Sequence, residues 1–297
     1  MTERPASNTA IGVATLRAAH QLIDQPPWIL DDPIVLRLLG PTARERVLDN
    51  AERFRSPRAV GLRAHVLLRS RYAEECLQAA VNRGTTQFLV LGAGMDTFAF
   101  RQPPWASALR IFEVDHPASQ QAKRDRLAAA GISAPANLTF VPVDFEHETI
   151  RERLIEQEFD FSALTFVSCL GVLVYLSNEA VIDLFEFLGS LSPASGCVLT
   201  IGGGARPKDP NVPSLADLAA EVGEPFLSAL DADALGALCT RFGLEQPMFP
   251  TTEEIGRYMG NRNDGLNAPT RRNIASIMVA ERPRLSYSLP NANHPGP

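Results

Sequence analysis

Residues Gln87 to Arg101 read QFLVLGAGMDTFAFR, and their types and order suit the grip of a nucleoside cofactor. The apolar run Gln87 to Leu91 has the length and Val/Leu/Phe content of a buried parallel strand. Gly92 and Gly94 then let the backbone turn sharply and approach a ligand with no Cβ in the way. A dinucleotide fingerprint needs a third glycine at position 97, where it packs helix on strand and bares helix amides to a pyrophosphate; this chain has Thr97. A nucleoside cofactor without phosphates fits better. Asp115, about twenty residues past the turn, stands where a carboxylate accepts both ribose hydroxyls. Glu113 lies two residues earlier on the same strand face and is the less favoured candidate. Asp144 ends a third apolar run and can accept from the exocyclic amine of adenine, while Phe145 offers the ring an apolar surface.

Each residue has a plainer reading. Acids after strands are routine helix caps, and Asp115 precedes His116-Pro117, a possible helix start. The weight falls on the combination of glycine turn and two strand-terminal acids at matching offsets. Of the histidines at 20, 65, 116, 147 and 294, His116 is nearest a strand end and His294 belongs to the tail. Tyr175 either packs the helix that starts near Ser177 or meets substrate. No residue is singled out as catalytic.

These residues need a scaffold that brings strand ends together. From Gln87 the chain alternates: strands at Gln87 to Leu91 and Leu109 to Val114, a helix at Ser119 to Ala130, strands at Leu138 to Val143 and Leu164 to Cys169, a helix after Ser177-Asn178, and a strand at Cys197 to Ile201 running into Gly202-Gly203-Gly204. A helix over Ala232 to Phe242 stopped by Gly243, a weak strand at Met248 to Thr252 between Pro247 and Pro250, and a strand at Ile274 to Ala280 follow. The pattern predicts a Rossmann-like, doubly wound α/β fold with a mostly parallel seven-stranded sheet, whose ligands sit at the carboxyl ends of the strands. Residues 1–84 have helical texture, notably Val60 to Val81, and predict an N-terminal helical cap; Asp31-Asp32-Pro33 offers one helix start. Residues 85–282 form the core, with an insertion near 205–230, and 283–297 have the Pro, Asn, Ser and Gly content of a flexible tail.

With 297 residues, 45% hydrophobic, the chain can bury a full core. A net charge of -6 gives no overall basic footprint for nucleic acid. No stretch approaches the ~20 apolar residues of a membrane span. Cys76, Cys169, Cys197 and Cys239 are scattered, without CxxC or Cys/His pairing, which predicts neither disulfides nor a metal site and points to the cytoplasm. Small-molecule chemistry is favoured.

The chain also resembles the leucine carboxyl methyltransferase family, a branch of the S-adenosylmethionine-dependent Rossmann-like methyltransferases that includes carboxyl methyltransferases of aromatic polyketide pathways. The resemblance lies in LRSRYAEE at Leu68 to Glu75, LGAGMDT at Leu91 to Thr97, FEVDHP at Phe112 to Pro117, FVPVDFE at Phe140 to Glu146 and LGVLVYL at Leu170 to Leu176. GEPFLS at Gly223 to Ser228 is similar to a segment of the bacterial members. It implies that Gly92 and Gly94 line the methionine moiety, Asp115 holds the ribose, Asp144 and Phe145 flank the adenine, and an arginine of Leu68 to Tyr72 pairs with the cofactor carboxylate. Arg69 and Arg71 are both candidates, since residues two apart on a helix diverge; Arg69 is preferred. The protein-modifying members carry a cofactor-contacting glutamate before the VLVY segment, where this chain has Leu170 and resembles the small-molecule branch. The resemblance therefore implies O-methylation of a small carboxylate metabolite. A phenolic acceptor, a non-catalytic cofactor-binding regulator and, against Thr97, a nicotinamide-dependent oxidoreductase are the competing readings.

Overall fold

The computed structural model of the protein describes residues 6–202, 214–260, 262, 266 and 273–280. Five helices come first: α1 (Asn8–Ile23), α2 (Pro33–Leu38), α3 (Ala43–Asp49), α4 (Ala51–Arg55) and α5 (Pro57–Asn82). There follow β1 (Gln87–Leu91), β2 (Arg110–Asp115), α6 (Pro117–Ala129), β3 (Leu138–Pro142), α7 (Ile150–Ile155), β4 (Thr165–Cys169), α8 (Asn178–Gly189) and β5 (Gly196–Thr200). The chain ends in α9 (Leu215–Glu221), α10 (Ala232–Arg241), α11 (Thr252–Met259) and β6 (Ile274–Met278).

The strands form one sheet in the order β3-β2-β1-β4-β5-β6. All neighbours are parallel except β5 and β6. Strand order reverses between β1 and β4, so a crevice opens where Leu91 and Cys169 pair and the chain runs on into Gly92 and Leu170. The doubly wound architecture follows the alternating pattern, but the sheet has six strands among the described residues rather than seven. The segment Met248 to Thr252 supplies no strand. Met248 makes a single bridge, exchanging hydrogen bonds of 2.9 and 2.8 Å with Ser276. Pro247 and Pro250 lack the amide protons a ladder needs, and Thr251 turns to cap α11. Residues 203–213, which hold Gly203, Gly204 and the first part of the expected insertion, and residues 281–297, which hold the expected tail, lie outside the described residues.

Apolar residues on alternate sides of the strands build two cores. One joins Leu89, Phe112, Val114 and Val167 to α7, α8 and α10. The other joins Phe88, Val90, Ile111 and Phe166 to Leu67, Leu68, Tyr72 and Leu77 of α5. α5 has 26 residues, about 39 Å at 1.5 Å per residue, roughly twice the length of a five-residue strand at ~3.3 Å per residue. Its C-terminal half lies on the sheet and its N-terminal half projects past the strand ends. There α1 packs against it, and α1, α2 and α3 build a third cluster that also takes in Met95 and Leu127.

Candidate active site

A cavity of about 960 Å³ opens at the crevice between β1 and β4. Arg69, Gly92, Gly94, Asp115, Asp144 and Phe145 all line it. They come from a helix and from the ends of β1, β2 and β3, brought together because parallel strands in register finish at one height.

Asp115, the last residue of β2, has both carboxylate oxygens held. Oδ2 accepts the Gly94 N–H and Oδ1 accepts the His116 N–H at 2.7 Å. Burial raises its pKa, against the pull of those two amides. Gly94 thus serves the acid that ends the neighbouring strand. Gly92 and Gly94 sit at φ +62° and +48°. A Cβ on Gly92 would fall 2.3 Å from Val172 Cγ2, so this glycine lets the segment after β4 close on the loop after β1. Glu113, one turn of the pleat deeper, is a structural acid: it and Lys123 are both buried, and Nζ lies 2.5 Å from Oε2. Burial pushes its carboxyl up to about 7.

Asp144 is held by its own loop. Oδ1 accepts the Glu146 N–H at 3.1 Å, and Oδ2 lies 2.8 Å from His147 Nδ1. Burial raises its pKa, but these bonds outweigh it and leave the carboxyl below its ordinary range. His116 caps α6, its Nδ1 accepting the Ala118 N–H at 3.2 Å, which leaves the ring proton on Nε2, 3.8 Å from Asp144. Thr97 is fully buried and donates to Asp32 Oδ2 at 2.8 Å. After the glycine turn residues 98–100 make only a short 3-10 turn, so no helix N-terminus faces the cavity there to receive a pyrophosphate.

The two candidate arginines diverge. Arg71 is half exposed and paired with Glu75 at 2.8 Å. Arg69 reaches the cavity, its guanidinium against Gly171, where an added Cβ would stand 2.7 Å from Nη1. Its Nε is buried without a hydrogen-bond partner, and it pairs with no carboxylate among the described residues. Desolvation, reinforced by Arg17 and opposed by Tyr175 and Asp96, lowers its pKa to about 10, still protonated at neutral pH. A buried, unpaired guanidinium opening on a cavity is costly unless a ligand anion completes it.

Several cavity residues had no signal in the sequence. Arg17 of α1 is buried, ion-paired with Asp32 at 3.5 Å, and donates to the Met95 carbonyl. Thr200, at the end of β5, accepts the Gly171 N–H at 2.6 Å. Glu224 binds the start of α1 through Ser7, Asn8 and Thr9, roofing the cavity next to Tyr175, which packs edge-on to Phe226 at 5.3 Å. GEPFLS was visible as a motif, but a contact 217 positions away was not.

The model of the leucine carboxyl methyltransferase family matches residues 10–189. The chain belongs to the leucine carboxyl methyltransferase family. It is thereby an enzyme, an S-adenosylmethionine-dependent methyltransferase. The chain is 34% identical over 208 residues to YktD of Bacillus subtilis, a candidate S-adenosyl-L-methionine-dependent methyltransferase, covering 68% of each. It is 32% identical over 202 residues to FRAAL3718 of Frankia alni, a relative of the same description, covering 65% of this chain and 68% of that one. Among solved structures, a candidate methyltransferase from Thermobifida fusca matches with a TM-score of 0.53 at 18% identity, over 95% of this chain and 97% of the other. A DUF574 family protein from Streptomyces avermitilis matches with a TM-score of 0.53 at 15% identity, over 94% and 99%. These two likenesses show the shared fold. The leucine carboxyl methyltransferase match spans α1 through α8 and every residue named for the donor, and it stops before Thr200 and Glu224.

Proposed function

We propose that this methyltransferase esterifies a carboxylate of a small apolar or aromatic metabolite, of the polyketide type its resemblance suggests. The observation that carries the donor site is Arg69, a cation on the cavity wall with no carboxylate of its own. It suits the carboxylate of the donor's methionine moiety, which the backbone at Gly92 and Gly94 would flank. Asp115 would accept the ribose hydroxyls with the lone pairs its two amide bonds leave free. Asp144 and Phe145 would hold the adenine. When bound, the cofactor supplies an electrophilic methyl group on a sulfonium sulfur, and in-line transfer asks the protein for alignment and exclusion of water. Alignment comes from strand ends on a rigid sheet; exclusion comes from α1 and the residue 214–228 segment joined through Glu224.

A carboxylate acceptor, with a pKa near ~4, is ionised at neutral pH and needs no general base. A phenol would; of the two histidines on the cavity wall, His116 is committed to capping α6, and His65 stands on α5 four residues before Arg69. The four cysteines are free thiols, which suits a reducing cytoplasm.

Isothermal titration with S-adenosylhomocysteine should give saturable binding that weakens tenfold or more in Asp115→Ala, since hydrogen bonds to a charged group contribute about 1.5–3 kcal/mol. Unchanged affinity removes the ribose contact. Incubation with a panel of aromatic and apolar carboxylic acids should yield methyl esters; products methylated only at phenolic oxygen overturn the carboxylate assignment.

A further inference from the structure

The cavity extends past the donor residues along α5 to Arg58 and Arg53, and this wall carries a pattern of charge. Along α4 and α5 the arginines fall into two sets. Arg55 pairs with Glu52 at 2.9 Å, Arg63 with Asp24 at 2.7 Å and Arg71 with Glu75 at 2.8 Å. Arg53, Arg58 and Arg69 line the cavity, and none has a carboxylate within ion-pair distance among the described residues. The cavity's carboxylates, such as Asp115 and Glu221, belong to the strand ends and to the residue 214–228 segment, not to this wall.

Arg58 and Arg69 are eleven residues apart on one helix, close to three full turns, so they share a face with their Cα atoms about 16 Å apart. Leu62 and Val66 lie between them on that face, and Val13 of α1 joins the same wall. On α9 and at its C-cap, Leu218 and Val222 line the cavity while 37% and 47% exposed, apolar surface left for something else to cover. The slot therefore runs from a deep guanidinium, past aliphatic side chains, to two guanidinium groups at the mouth, in a chain of net charge -6.

We propose that the methyl-accepting molecule is an elongated dianion. One carboxylate reaches the deep end to be methylated, an apolar body lies along Leu62 and Val66, and a second anionic group, carboxylate or phosphate, is held at the mouth by Arg53 and Arg58. This rests on the proposed carboxylate methylation and on assigning Arg69 to the donor's carboxylate. A planar guanidinium pair suits either oxyanion. The free site also draws anions toward a protein whose overall charge repels them.

The test is calorimetric titration with decanoate, decanedioate and 9-phosphononanoate, each with and without saturating S-adenosylhomocysteine. Decanedioate should bind at least about tenfold more tightly than decanoate. Arg53→Gln/Arg58→Gln should erase that difference while leaving the affinity for S-adenosylhomocysteine and the thermal midpoint unchanged. Comparison of decanedioate with the phosphonate tells carboxylate from phosphate as the preferred distal group. Equal affinity for decanoate and decanedioate, or binding of neither, overturns the proposal. Failure of the wild-type protein to bind S-adenosylhomocysteine strikes the donor-site reading instead, and the titrations without it still report on the arginines.

Discussion

Arg69 and Arg71 stand two residues apart on α5 with the same chemistry and opposite surroundings. Spacing alone left both open, because the direction of each depends on how the helix is rolled against the sheet. With Arg71 paired to Glu75 in solvent and Arg69 unpaired on the cavity wall, their substitutions should separate. Arg69→Gln is expected to weaken S-adenosylhomocysteine binding about 10- to 100-fold, the equivalent of roughly 1.5–3 kcal/mol for a charge-assisted bond. Arg71→Gln should leave it within twofold, as an exposed ion pair contributes only about 0.2–1 kcal/mol. Gly171→Ala tests the same site from the other side. A Cβ there would press on Arg69 Nη1 and would require a side chain at φ +77°. The expected result is loss of cofactor affinity comparable to Arg69→Gln, read by the same titration; full affinity would mean that Arg69 does not need its place against Gly171. Asp115, Asp144 and Phe145 were easier to read, since the residue after a parallel strand needs no knowledge of helix roll to be placed at the crevice.

At the level of elements, the strands from β1 to β5 were legible from apolar runs bounded by Gly, Pro and Asp, because the forces that make them are local. Met248 to Thr252 was not, since its apolar residues promised pairing that its prolines refuse. Thr97 was read for what it excludes; the structure adds why it is there. Its hydroxyl joins the loop after β1 to Asp32, which also caps α2 through the Val35 N–H at 3.1 Å. Thr97→Val should lower stability by about 1–3 kcal/mol by leaving buried Asp32 short of a donor, measured by urea unfolding. Glu224 joins elements in a second way, satisfying the otherwise open amides at the start of α1. Glu224→Ala should raise amide hydrogen exchange at residues 8–12 severalfold while leaving β1 protected. Unchanged exchange there would show that α1 is held by its core contacts alone.

Across the whole molecule, α1 and α5 are tied together by a buried ion cluster. Arg63 donates to Asp24 at 2.7 and 2.8 Å, and His20 Nδ1 meets the same carboxylate at 2.9 Å while its Nε2 accepts the Ile29 N–H at 3.1 Å. Burial raises the Asp24 pKa, but His20 and Arg63 outweigh it and hold it below its ordinary value. A depressed carboxylate contributes stability that is present above its unfolded pKa, near ~3.9, and lost as pH falls through the folded value. Stability should accordingly drop on acidification below about pH 4, and less steeply in Asp24→Asn. Arg63→Ala should destabilise by about 3–5 kcal/mol at neutral pH by stranding a buried charge; a loss under 1 kcal/mol in denaturant melts would mean that water replaces the arginine. By itself the amino-acid sequence determined the order of helix and strand, the glycine turn after β1, the acid that ends β2 and the acid just past β3, because periodicity, backbone freedom and strand-end position act within a few residues. Only the tertiary structure decided which arginines keep a partner and which face the cavity, and that Glu224 closes over the start of α1. Those outcomes depend on helix roll and on contacts between residues as much as 217 positions apart, where no local signal reaches.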